Sequence, residues 1–269
     1  MFRTVGVGAG VLALGLASGC GSTSSTPKPA AGGSSPSSSP SSTTSGAGTL
    51  TKANFGQTIA AAMKKAGSYH FTLTTGAAGA SVTGSGDGRV NGPTPEARTI
   101  IKIPGGTLES VVTGGYFYIR SPMLHTAKPW LKIDPHAKSG MGALVGQLGG
   151  NSDPTKSLQV MSAASQVTKA GSANIDGVQT TEYAVTLPTK SLAKTLSYPA
   201  QVTKLLPATL VYHVWVGSDG LVRQVTSAIP VLGHSSTTKI KFSKFGESVQ
   251  IVAPPASQTT SHMAGMPGM

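Results

Sequence analysis

The chain predicts an α+β fold. Three observations carry this: an amphipathic helix opening the body near residue 54, short apolar–polar alternations separated by Gly-containing turns, and two stretches of helical spacing set between those alternations. Sequential hairpins with helices gathered on one face are the architecture that this order of segments implies.

Before the body comes a leader. Arg3 supplies a positive charge, Val5 to Leu16 is an apolar run too short to span a bilayer comfortably, and Ala17-Ser18-Gly19 brings small residues up to Cys20, the only cysteine. Residues 1–19 therefore read as a secretory signal peptide cut before a thiol. The pattern looks like a bacterial lipobox, in which that cysteine carries a diacylglyceryl group and the new N-terminus can take a further acyl chain. Ala17 stands where leucine is usual, and Leu16 lies one place further back. The plainer alternative is a cleaved signal beside a chance cysteine.

From Gly21 to Gly48 the chain holds only Gly, Ser, Thr, Pro and Ala apart from Lys28. Such residues bury no area, so 20–48 is expected to be a lipidated cysteine followed by a disordered stalk, with an end-to-end reach of roughly 30 Å. Its Thr and Pro content also suits O-glycosylation.

Thr49 to Ala253, about 205 residues, is long enough for one domain with a real core. With Cys20 acylated no internal disulfide can form, and packing alone must hold the body together. The net charge is +12, from lysines that are scattered rather than clustered. In an exported protein such a surface suits anionic phospholipid or glycolipid headgroups. Export and the lack of a basic run with interleaved aromatics argue against nucleic acid.

Within the body, Phe55, Ile59, Met63 and Ala66 form one stripe of a helix from Asn54, with Lys64 and Lys65 in its last turn and Gly67 as its stop. Tyr69, Phe71 and Leu73 then alternate with polar residues. Ser81 to Val90 contains Asp87-Gly88, which reads as a hairpin turn. Ile100 faces opposite to Ile101 and Ile103. Leu108–Val112, a Gly114-Gly115 turn and Tyr116–Arg120 form another hairpin, and Trp130–Ile133 a short strand. Met141, Leu144, Val145 and Leu148 return to helical spacing, as do Leu158 and Met161, amid glycines at 140, 142, 146, 149 and 150. Tyr183, Val185 and Leu187 alternate after an Asp176-Gly177 turn. A helical insertion from Thr189 to Leu206, broken near Pro199, carries Leu192, Leu196, Leu205 and Leu206. Strands at Thr209–Val216, Leu221–Ile229 and Ser236–Phe245 finish the body. Leu210 to Val216 is apolar on both faces, as a strand covered on both sides or bounding a cavity would be. His213 within it reads as a hydrogen-bonded neighbour and not a ligand.

Several stretches together resemble the LppX/LprAFG family of actinobacterial envelope lipoproteins, whose fold is similar to that of LolA-like periplasmic carriers. They are the lipobox and stalk, the helix end Lys64-Lys65-Ala66, Lys128-Pro129-Trp130-Leu131-Lys132-Ile133-Asp134, Asn174 to Tyr183, and Trp215 with Asp219-Gly220-Leu221-Val222-Arg223. The long stalk and the tail depart from the family. The resemblance implies a curved antiparallel β half-barrel with helices across its concave face, enclosing an apolar cavity for acyl chains. On that expectation Met141, Leu144, Val145, Leu148, Leu158, Met161, Leu192, Leu196, Leu205 and Leu206 line the cavity; plain packing against the sheet is the alternative for each. A pre-formed apolar wall, with methionine for adaptability, is what directionless chains require.

No catalytic motif is present, and the acidic residues, 9 in all, are thinly spread. Asp87, Asp176 and Asp219 sit beside glycines, where turns are the default. The chain thus reads as a non-enzyme without cofactor, monomeric and lipid-anchored at the extracytoplasmic face of the cell membrane, with a membrane lipid or glycolipid as ligand and an envelope transporter as a conceivable partner. Residues 254–269 read as a flexible tail, in which His262, Met263, Met266 and Met269 offer an imidazole and soft thioethers suited to Cu(I). The competing class is accordingly a non-carrier envelope lipoprotein, either an interaction module or a copper handler.

Overall fold

The computed structural model describes residues 49–77, 80–92, 94–124, 126–137, 163–195, 203, 206–231 and 234–262. Residues 1–48, which hold the expected signal peptide, Cys20 and stalk, and the segment from 138 to 162 lie outside them.

The body opens with α1 (Phe55–Ala66), closed by Gly67, whose φ of 82° lets its N–H reach the Met63 carbonyl at 3.0 Å. Strands β1 (Ser68–Ala77), β2 (Ala80–Arg89), β3 (Glu96–Ile103), β4 (Gly106–Thr113), β5 (Tyr116–Arg120) and β6 (Trp130–Ile133) form one antiparallel meander. A second runs through β7 (Gln166–Ile175), β8 (Val178–Pro188), the short helix α2 (Thr189–Thr195), β9 (Thr209–Gly217), β10 (Val222–Val231) and β11 (His234–Ser243). β1 pairs with β11, so the first and last long strands weld the meanders into one sheet. A 3-10 turn, Ala256–Gln258, then leads into β12 (Thr259–Thr260), which pairs in parallel with β6.

The strand order is β12-β6-β5-β4-β3-β2-β1-β11-β10-β9-β8-β7. Its ends are not joined, so the sheet is an open, curved half-barrel. Both described helices belong to one face, called inner here. Phe55 of α1 meets Tyr183 of β8 edge-on, with ring centroids 5.5 Å apart, and Leu192 of α2 belongs to the same core.

Register decides which side chains share that face, because directly opposed residues point the same way. Phe71 opposes Phe242 and Leu73 opposes Ile240. Ile240 opposes Val225, Val225 opposes Val214, and Val214 opposes Tyr183. These residues, with Leu210, Tyr212, Val185 and Leu187, form the principal core beneath Phe55 and Ala60.

Two strand expectations need correcting. Asp87-Gly88 is no turn; it lies within β2, and the reversal falls between Ala77 and Ala80. The glycine there serves packing: Gly84, Gly86 and Gly88 oppose Leu73, Phe71 and Tyr69, and a Cβ on Gly88 would sit 2.2 Å from the Tyr69 ring. In addition, β7 is a full strand that periodicity did not announce. It is an edge strand, mostly exposed, and its Thr-Lys-Ala-Gly-Ser-Ala run shows no apolar alternation.

Ordered contacts also continue past Ala253. Val249 and Ile251 lie on the outer face against Val111, Tyr118 and Trp130, and β12 extends the structured body to Thr260. Ile251 is fully buried by this contact, which explains how a mostly polar segment stays in place.

Candidate apolar binding face

The inner face differs between its two arms. On the arm ordered β1-β11-β10-β9-β8 it is closed: Phe55, Tyr69, Val185, Leu187 and Val214 are among the most deeply buried side chains. On the arm from β3 to β6 the same face carries Ile101, Ile103, Leu108, Val112, Phe117 and Ile119, all only half-buried. Register fixes their shared side: Gly84 opposes Ile101, Ile101 opposes Leu108, Val112 opposes Phe117, and Ile119 opposes the buried Leu131. An apolar surface continuous with a core yet incompletely covered is where a hydrophobic partner gains most by desolvation.

Hydroxyls punctuate the face. Thr99 and Ser110 are buried on the β3–β4 arm, and Ser227, Ser236 and Thr238 near the far ends of β10 and β11. Thr238 exchanges a hydrogen bond with Thr75 at 3.1 Å, and the Ser236 hydroxyl finds no partner among the described residues.

Of the side chains expected to line a cavity, Leu192 is 4% exposed within the principal core and Leu206 is half-buried against it. Met141, Leu144, Val145, Leu148, Leu158, Met161, Leu196 and Leu205 lie outside the described residues. The half-buried apolar residues of the β3–β5 face were not among those expected to line a cavity; Ile101 and Ile103 follow an equally apolar Ile100, so period alone does not mark one face as open.

The outer face is polar and paired. Glu109, with a side chain 6% exposed, takes Arg98 at 2.7 Å and Arg120 at 2.5 Å, and Arg120 in turn stacks 5.0 Å above Trp130. Arg89 bridges Glu96 at 2.7 Å and donates to the Val249 carbonyl, while Thr113 donates to Glu96. His70 meets Asp87 at 2.9 Å and His213 meets Glu182 at 2.7 Å, which makes His213 the hydrogen-bonded neighbour expected. Val211 is exposed, so β9 has one buried and one open face rather than cover on both sides. Asp176 and Asp219 do occupy turns, where they pair with Lys241 and Arg223. These carboxylates are engaged in structural pairs, not grouped around a cleft.

Among the described residues no cluster of His, Cys, Asp or Glu could hold a metal ion. His262 is exposed, and Met263, Met266 and Met269 lie outside the described residues. No described helix is long and apolar enough to cross a membrane.

No family model and no curated protein matches the sequence. Among solved structures, the chain is similar to the lipoprotein LppX of Mycobacterium tuberculosis, with a TM-score of 0.50 and 18% identity, over 75% of this chain and 98% of that one. It is also similar to LprF of Mycobacterium bovis, with a TM-score of 0.47 and 18% identity over 76% of this chain and 96% of that one. The half-barrel described above is therefore an LppX-like fold, as the spacing of motifs had implied.

Proposed function

We propose that this chain, with its LppX-like half-barrel, is an envelope lipoprotein that binds the acyl chains of a lipid or glycolipid against its inner face and carries or presents them at the membrane. The observation that carries the reading is the half-buried row of Ile101, Leu108, Val112, Phe117 and Ile119, on the same side as the described helices and outside the core cluster to which those helices belong. Acyl chains offer no directional groups. They are held by area alone, at about 0.8 kcal/mol per buried methylene, so a smooth aliphatic and aromatic wall suffices. Buried hydroxyls such as Ser236 and Ser110 are available to a glycerol ester or a sugar. The connection from β6 to β7 joins opposite ends of the strand order. We assign Met141, Leu144, Val145, Leu148, Leu158 and Met161 from that connection, with Leu196, Leu205 and Leu206, to the cover over the wall. Cys20, acylated, is the proposed anchor at the extracytoplasmic face.

The test uses the chain carrying Cys20→Ser, so that its own acyl groups do not confuse the assay. Mass spectrometry of organic extracts should find bound acyl lipid. Leu108→Trp and Ile119→Trp should each reduce lipid recovery severalfold by filling space, with little change in melting midpoint. Overpacking a solid core would instead cost about 1–3 kcal/mol of stability. Absence of lipid from the parent chain, even when lipid is offered, would leave a non-carrier envelope lipoprotein as the better reading.

A further inference from the structure

The antiparallel order sorts the sheet's charges by end. β1 stops at Ala77, and the same end holds the turn from Ile103 to Gly106, the loop from Arg120 to Trp130, α2 after Pro188, and the turn from Val231 to His234. The opposite end holds the loop from Arg89 to Glu96 and the turns at 114–115, 176–177 and 218–221, together with residues 244–247.

The described carboxylates fall on the second end or in mid-strand. Asp87, Glu96, Asp134, Asp176, Asp219 and Glu247 sit at or within a few residues of it, and Glu109 and Glu182 are mid-strand and paired. At the first end the described charges are basic: Lys102, Lys128, Lys190 and Lys194 are exposed, and Arg120 is shared with Glu109. The Lys128 ammonium rests on the Ala256 carbonyl at 3.3 Å, which leaves its charge uncompensated. In the same loop as Lys128, Met123 projects with 68% exposure, next to Pro122. A ten-residue strand separates the two ends by about 30 Å, several times the Debye length of about 8 Å at physiological salt. The distant carboxylates therefore do not offset the lysines at the first end.

We infer that this basic rim, with Met123 at its tip, is the surface by which the half-barrel docks on an anionic phospholipid bilayer. Lysines meet the headgroups, while a thioether and prolines can enter the interface without burying a charge. A protein partner would need a complementary acidic surface, and nothing about the rim calls for one. Docking at this end sets the ends of β3 to β6, and so one edge of their half-buried apolar face, at the membrane; this deepens the lipid-carrier reading but does not depend on cargo being found.

The test uses the full chain with Cys20→Ser and one new cysteine, at Met123→Cys or at Ser218→Cys on the opposite end, each carrying an environment-sensitive fluorophore. Vesicles of phosphatidylcholine containing phosphatidylglycerol should shift the emission of the label at 123 to the blue and leave that at 218 unchanged. Phosphatidylcholine alone should shift neither. Lys102→Glu with Lys128→Glu, or Lys190→Glu with Lys194→Glu, should weaken the vesicle response about tenfold or more. The charge-matched pair Lys65→Glu with Lys244→Glu, at the other end, should not, and melting curves of all three pairs should coincide. Equal shifts at 123 and 218, an equal response to neutral vesicles, or equal weakening by the control pair would each overturn the assignment. A chain that docks in this way yet extracts without lipid would refute the carrier reading and leave the docking surface standing.

Discussion

At the scale of single residues, the glycines of β2 show how a side chain's absence shapes the fold. Gly84, Gly86 and Gly88 are glycine for contact rather than for backbone angle: the rings of Phe71 and Tyr69 on β1 lie over Gly86 and Gly88, and Ile100 and Ile101 of β3 crowd Gly84. At Gly86 a Cβ would come 2.6 Å from the Phe71 ring and 2.2 Å from the Arg98 carbonyl oxygen. Neither neighbour yields easily, one being a buried ring and the other backbone. Gly86→Ala is therefore expected to cost about 1–3 kcal/mol, read as a lower denaturation midpoint at unchanged denaturant slope. An unchanged midpoint would mean that Phe71 has room to move, contrary to its burial. In one dimension an Asp-Gly pair means a turn, and Asp176-Gly177 is one, with φ of 50° and 87°. Asp87-Gly88 looks identical and is not. Only the ring of Tyr69 on the neighbouring strand tells the two apart.

At the scale of elements, the C-terminal segment has the least expected role. Val249 and Ile251 close a small second core over Val111, Tyr118 and Trp130, while Arg89 and Lys128 hold the backbone of the segment from either side. Removing residues 249–269 should uncover Trp130, now 6% exposed, and shift tryptophan emission to the red with a clear loss of melting temperature. Removing only 261–269 should change neither signal, because those residues follow the last strand pairing at Thr260. If the shorter truncation also binds Cu(I) as the full chain does, the His-Met pattern has no metal role. β7 teaches the complementary lesson: an edge strand buries little, so its sequence need not alternate, and hydrogen bonding to β8 defines it instead.

At the scale of the whole molecule, attachment and shape are separable. The proposed anchor is Cys20, separated in sequence from the body by residues 21–48. Cys20→Ser should release the protein from the membrane fraction after a high-salt wash, since stable anchoring takes two chains and a single chain binds reversibly. Retention after the wash would mean that something other than acylation holds it. The body's fold should be indifferent to that change, because the described sheet, its helices and both core clusters are built from residues 50 onward.

The sequence by itself determined the α+β class, the entry helix with its Gly67 stop, most of the strands and the tight turns at 114–115 and 176–177. These depend on local chemistry, namely side-chain period and the few residues that tolerate a positive φ. It also carried enough spaced motifs to imply the LppX-like fold. The tertiary structure alone decided that β1 joins β11, that the tail returns to pair with β6, and that the open apolar surface is the sheet's β3–β5 face. It alone set Lys102, Lys128, Lys190 and Lys194 at the end of the sheet away from most described carboxylates. Each of these depends on contacts between residues far apart in the chain, and periodicity reports which face a residue takes without saying what lies opposite it.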